Sequence, residues 1–179
     1  MSSDLKVTNI KHASSGSNNL VLGSDGSATI NQISSSSAFP AGHILQVKEA
    51  VYSTEISKSD TAEFDIATVD ITPSSTSNKV LVWGVVMGME RGTTANARFD
   101  AKLFRDSTNI HTSGANIWTK DSQNLRHGGF TITKLDSPST TSQITYKLIG
   151  AWPTHSSPSY VNKDGNSGNS TIIVMEVAG

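Results

Sequence analysis

Residues 80–89 read VLVWGVVMGM, a run that is apolar on both of its alternate residue sets. In a strand, successive side chains point to opposite faces. Leu81, Trp83, Val85, Met87 and Met89 therefore share one face, and Val80, Val82, Gly84, Val86 and Gly88 share the other. A half-exposed antiparallel strand carries polar residues on one face. This run carries none, so both faces must be covered, by a second layer of the chain's own sheet or by the same surface of a sister subunit.

The rest of the chain supplies strands to surround it. From Gly42 onward the pattern predicts strands over residues 43–52, 62–71, 79–90, 96–105, 129–135, 143–151 and 170–178, with a weaker one near 109–112 and no convincing helix. Ala97, Phe99, Ala101 and Leu103 alternate with Asn96, Arg98, Asp100 and Lys102. Ala95, Phe99 and Leu103 also fit helical spacing, but alternation of the polar set favours the strand. Short strands at this spacing, separated by Pro-, Ser-, Asn- and Gly-rich turns, predict an all-β fold, an antiparallel β-sandwich or jelly roll. The last strand, Ile172 to Val177, is nearly as apolar as the first run, so truncation from Ser170 is expected to prevent folding.

Residues 1–40 differ in kind. Three short apolar clusters (Leu5, Val7 and Ile10; Leu20 to Leu22; Ala28, Ile30 and Ile33) are separated by turn-prone residues. Asp25-Gly26 between extended segments predicts a hairpin over 19–32. A segment of this composition and of about 40 residues does not enclose a core. It is either a disordered leader or an extended β-hairpin stalk that folds when several copies wrap together. Ser34 to Ser37 is a linker and Phe39-Pro40 opens the main domain, dividing the chain into a 1–40 stalk or anchor and a 41–179 β-sandwich head.

The chemistry-bearing residues point away from catalysis. There is no Gly-x-Ser-x-Gly elbow, no phosphate-cradling glycine loop with a Lys and no His-Glu-x-x-His helix. His12, His43, His111, His127 and His155 have no ligand spacing, and the chain has no cysteine, so the expectation is no metal, no cofactor and no catalytic residue. Glu63, Asp65 and Asp70 read as a solvated strand face rather than paired catalytic carboxylates. Asp164 to Asn169 resembles a calcium loop only faintly, because Met175 would stand where a bidentate Glu is needed, and reads better as a hairpin loop.

Two presumptive loops carry more. Residues 110–126 hold His111, Asn116, Trp118, Lys120, Asn124 and Arg126, and residues 152–163 hold Trp152, His155, Tyr160 and Asn162. Aromatic faces that stack on sugar rings, ringed by amide and charged groups, suit a glycan or surface-protein site. The competing reading is that Trp118 and Trp152 plug the ends of the sandwich. Charge narrows the partners: a net charge of −1 offers no field for nucleic acid, and no apolar run is long enough to span a membrane as a helix.

ITPSSTSNKVL at 71–81, LDSPSTTSQITYKL at 135–148, STIIVMEVAG at 170–179 and the leader LKVTNIKHASSGSNNLVLGSDGSATI at 5–30 resemble bacteriophage tail-fibre proteins, especially those of marine and cyanobacterial phages. The resemblance skips residues 91–126 and 152–168. It implies a homotrimeric virion protein, made in the host cytoplasm, held by residues 1–40 to other tail or baseplate proteins and facing a bacterial surface glycan or protein with its head. The alternatives are a purely structural virion adaptor or decoration protein and, more remotely, a polysaccharide-degrading enzyme. With a trimer, Leu81, Trp83, Val85 and Met87 are expected to fill the sandwich, and the smaller set around Gly84, Val86 and Gly88 to pack near a neighbouring subunit.

Overall fold

In a computed structural model of the chain, the described residues are 8–10, 13, 20–30, 41–91, 98–116, 125–154, 158–163 and 168–179. The chain separates into two compact units, Met1–Pro40 and Ala41–Gly179. Ser34 to Ser37 and Phe39-Pro40 lie outside the described residues.

The first unit holds a three-stranded antiparallel sheet of β1 (Asn9–Ile10), β2 (Leu20–Leu22) and β3 (Ala28–Ile30). The Asp-Gly turn joins β2 to β3 as expected. Gly26 takes φ +85°, a left-handed value that glycine adopts without strain. Asp25 holds the turn by accepting hydrogen bonds from Ser27 Oγ at 2.6 Å and Ser27 N at 2.9 Å, and these keep its carboxyl below the ordinary pKa.

The second unit is a jelly roll. One sheet contains β4 (Ile44–Tyr52), β13 (Ser170–Val177), β7 (Lys79–Arg91) and β10 (Leu125–Asp136), with the short β5 (Ile56–Lys58) and β12 (Ser159–Val161) extending it beside the far end of β7. The other contains β6 (Phe64–Ile71), β11 (Ile144–Thr154), β8 (Arg98–Arg105) and β9 (Thr108–Asn116), in that order. The antiparallel pairs β4–β13, β5–β12, β6–β11, β7–β10 and β8–β9 nest inside one another, so the unit is one long hairpin rolled until its halves face each other as two sheets. The innermost turn places Asp106 at φ +52°, which Asp tolerates.

The run at the heart of the sequence is β7, paired with β10 along one edge and with β13 along the other. Both its faces are apolar, but the assignment of faces is the reverse of expectation. Val80, Val82, Gly84 and Val86 point into the sandwich, while Trp83 is exposed and Leu81, Val85 and Met87 are half-buried on the outside. Volume explains the inversion, because the opposite sheet supplies Phe99, Leu103, Tyr146, Leu148 and Trp152, all fully buried. Two sheets about 10 Å apart leave room for only one bulky layer at a given point. A Cβ at Gly84 would stand 2.8 Å from Leu148 Cδ1 and 3.1 Å from Ile132 Cγ2.

The two sheets present unlike faces to the outside. On the β6–β9 sheet, Asp65 meets Lys147, Glu63 meets Lys102, and Asp70 accepts hydrogen bonds from Thr145 Oγ1 and Gln143 Nε2. Asp65 and Asp70 have opposite parity, yet both are exposed because the β6–β11 register shifts by one residue between them. On the other sheet the register aligns Val47, Met175, Leu81 and Leu135 in one row across four strands, and Glu49, Ile173, Trp83 and Thr133 in the next.

Candidate functional site

The strand ends gather at one end of the jelly roll. Asn116, closing β9, pairs with Arg98 at the start of β8, and Arg98 pairs with Thr154 at the end of β11. In the facing sheet Leu125 pairs with Arg91, and Tyr160 with Glu90. The Phe99 ring meets Phe130 edge-on across the sheets at 6.3 Å, which sets both sheets' ends on the same side. The described strands break off at this end after Arg91, Asn116 and Thr154 and resume with Arg98 and Leu125.

The predicted residues divide accordingly. Asn116 ends β9 and Arg126 opens β10, so both are on strands rather than in one long loop. Their side chains, together with Trp118, Lys120, Asn124 and His155, lie outside the described residues. His111 sits in mid-strand, half-buried and paired with Leu103. It is therefore away from the gathered ends.

For Trp152 the structure bears out the sandwich-filling reading and corrects its place in a loop. It belongs to β11, is fully buried and packs edge-on against Phe99 at 4.9 Å, so it fills the sandwich rather than standing in a loop. The alternation Ile144, Tyr146, Leu148 runs on through Gly150 to Trp152, a signal present in the sequence and cut short by ending the strand at Ala151. Trp152 Nε1 and Ser159 Oγ are buried with no hydrogen-bond partner among the described residues.

Asn162 is a second correction, because it is fully buried and holds the fold. It takes φ +56°, and its backbone N donates to Met87 O at 3.0 Å. Its Nδ2 donates to Thr54 O at 3.1 Å, and its Oδ1 accepts from Ser170 N at 3.0 Å and Ser170 Oγ at 2.7 Å. Asn is one of the few residues that enters this backbone region readily, which is why the sharp turn uses it. Opposite it, Gly88 at φ +57° accepts from Lys163 N at 3.0 Å.

Tyr160 remains partly exposed at this end, with Lys163 Nζ 4.0 Å from its ring centroid and 3.2 Å from Glu55 Oε2. Lys58 and Arg98, not singled out from sequence, stand at the same end. Lys58 lies 5.5 Å over Phe64, and Arg98 Nε donates to the buried Asp100 at 2.6 Å. The described part of this end is thus a rim of an aromatic ring and fixed charges. Among the described residues, no three His, Asp or Glu gather as a metal site. Among the same residues, no helix is long and apolar enough to cross a membrane.

No family model and no curated protein matches the chain. Among solved structures, the VP2 subviral particle of infectious bursal disease virus is similar at 11% identity and a TM-score of 0.39, over 74% of this chain and 39% of that one. The infectious bursal disease virus Gt strain structure is similar at 10% identity and a TM-score of 0.38, over 90% and 47% of the two chains. The Stig cyclase Fisc from Fischerella sp. TAU is similar at 14% identity and a TM-score of 0.33, over 63% and 55%. The chain spans less than two thirds of each, and none of these likenesses is strong enough to transfer a function.

Proposed function

We propose that the protein is a tail-fibre component of a phage virion, its jelly-roll head contacting a bacterial surface glycan or protein during adsorption and residues 1–40 joining other tail proteins. The observation that carries this reading is the described rim at one end of the jelly roll, where the Tyr160 ring stands beside Lys163, with Lys58 and Arg98 at the same end. Three copies, as the resemblance implies, would multiply weak contacts by avidity, so no single site needs to bind tightly. The reading assigns no catalytic residue.

The test is adsorption of the purified chain to candidate host cells. Loss of binding in Tyr160→Ala or Trp118→Ala, with binding kept in Thr68→Ala on the charged sheet, supports attachment by this end. Equal binding by all variants, or none by the wild-type chain on any permissive host, favours the structural virion role. Release of reducing sugar from host polysaccharide would favour the enzyme.

A further inference from the structure

The outer face of the sheet containing β7 is built unlike the outer face of the opposite sheet. Its two central rows hold Val47, Met175, Leu81 and Leu135, then Ile173 and Trp83, with Glu49 as their one charged residue. Trp83 is 43% exposed, Leu135 48%, Val47 53% and Val51 54%. The opposite face of the same jelly roll, by contrast, is laced with ion pairs. Water solvates the charged face at little cost, whereas an apolar sheet face of this extent drives association.

We propose that this face packs against a second copy of the chain. The inference deepens the tail-fibre reading by naming the surface through which subunits meet, and rests on that reading only for the number of copies. Area favours it. Four strands about 4.8 Å apart and about eight residues long present roughly 500 Å² of sheet, the scale of a standard interface at about 800 Å² of accessible surface per partner. Charge does not oppose it: in the two central rows Glu49 stands on the outer strand β4, and the residues between it and β10 are uncharged.

The side chains involved point away from the subunit core, so charges placed there should separate subunits without unfolding them. Light scattering of the full chain at micromolar concentration should give a multiple of 19.0 kDa. Trp83→Lys with Leu135→Lys should give a single-chain mass with the β circular dichroism kept, and Thr68→Lys should leave the oligomer intact. A single-chain mass for the wild-type protein, or an oligomer unmoved by the double variant, overturns the inference. A second measurement stands if the double variant fails to fold. The chain lacks cysteine, so Thr133→Cys and Thr68→Cys each carry one thiol, and maleimide should label position 133 at least tenfold more slowly. Equal labelling overturns the proposal, and slow labelling in a single-chain particle assigns the cover to residues 1–40 instead. An oligomer built through this face that ignores host cells would sink the attachment reading alone, and a cell-binding single chain would sink this one alone.

Discussion

Glu176 is the residue whose removal the structure prices most clearly. It lies in β13 with 1% of its surface exposed, yet its carboxylate is fully engaged. Oε1 accepts from Ser74 N at 2.7 Å, Ser74 Oγ at 2.9 Å and Asn78 Nδ2 at 2.6 Å, and Oε2 accepts from Gln46 Nε2 at 2.6 Å. Burial pushes the carboxyl pKa up, but the hydrogen bonds from Gln46, Asn78 and Ser74 outweigh it and hold the group below its ordinary value of 4.5. In Glu176→Gln the three bonds to one oxygen become neutral, roughly half as strong, and an amide NH₂ is set against that of Gln46. A loss of about 3 kcal/mol is expected at neutral pH, roughly 6–12 °C in melting temperature for a unit of this size. Because the folded-state pKa is depressed, the wild-type advantage is present above the ordinary Glu value and is lost as pH falls through the folded one. Urea denaturation of both proteins from neutral to strongly acid pH should therefore show their stabilities converging as pH falls below the ordinary Glu value. Equal stability at neutral pH, or a constant gap down to strong acid, would refute the clasp.

Other substitutions separate core from site. Trp152→Ala should cost about 3–5 kcal/mol by leaving a cavity beside Phe99, whereas Trp152→Phe should cost less; both are read by denaturant midpoint. Asn162→Ala should lose about 2–4 kcal/mol, and Asn162→Gly about 1–2 kcal/mol less than that because it keeps the left-handed backbone free of strain. Val86→Asp should unfold the head itself, seen as lost β circular dichroism, because Val86 faces the interior and an unpaired charge there has no partner. A folded single-chain Val86→Asp would instead restore this face of β7 to the subunit boundary.

Much of this fold was written in local alternation. Phe99, Ala101 and Leu103 lie buried as their spacing predicts, and the Asp25-Gly26 turn joins two paired strands. The orientation of β7 was not legible, because which apolar set faces inward depends on the volume that a distant strand supplies. Gly84 is inside because Leu148 and Ile132 occupy the space a larger side chain would need. The strands Ile56–Lys58 and Ser159–Val161 are three residues each, too short for a period to register. Of the site residues, Trp152 could have been placed by following the alternation two residues further. Asn162 could not, since its role arises from Met87, Thr54 and Ser170 meeting around one turn. Buried polar pairings of this kind leave no periodic trace: Tyr146 Oη donates to Asp136 at 2.7 Å, with Arg105 2.8 Å from the same carboxylate oxygen.

The place of β13 between β4 and β7 has a consequence for synthesis. The first and last strands of the head pair with each other, so the larger sheet has a gap at its middle until Ser170–Val177 emerges from the ribosome. Until then Val82 and Val86 lack their cover, and the nascent head cannot complete its fold domain-first as the chain lengthens. Folding of the head thus waits for Ser170–Val177 and, with its pairings so far apart in sequence, is slow. Chains stalled on the ribosome before Ser170 should stay open to protease, and neighbouring nascent chains on one message would hold their unpaired strand edges within reach of each other.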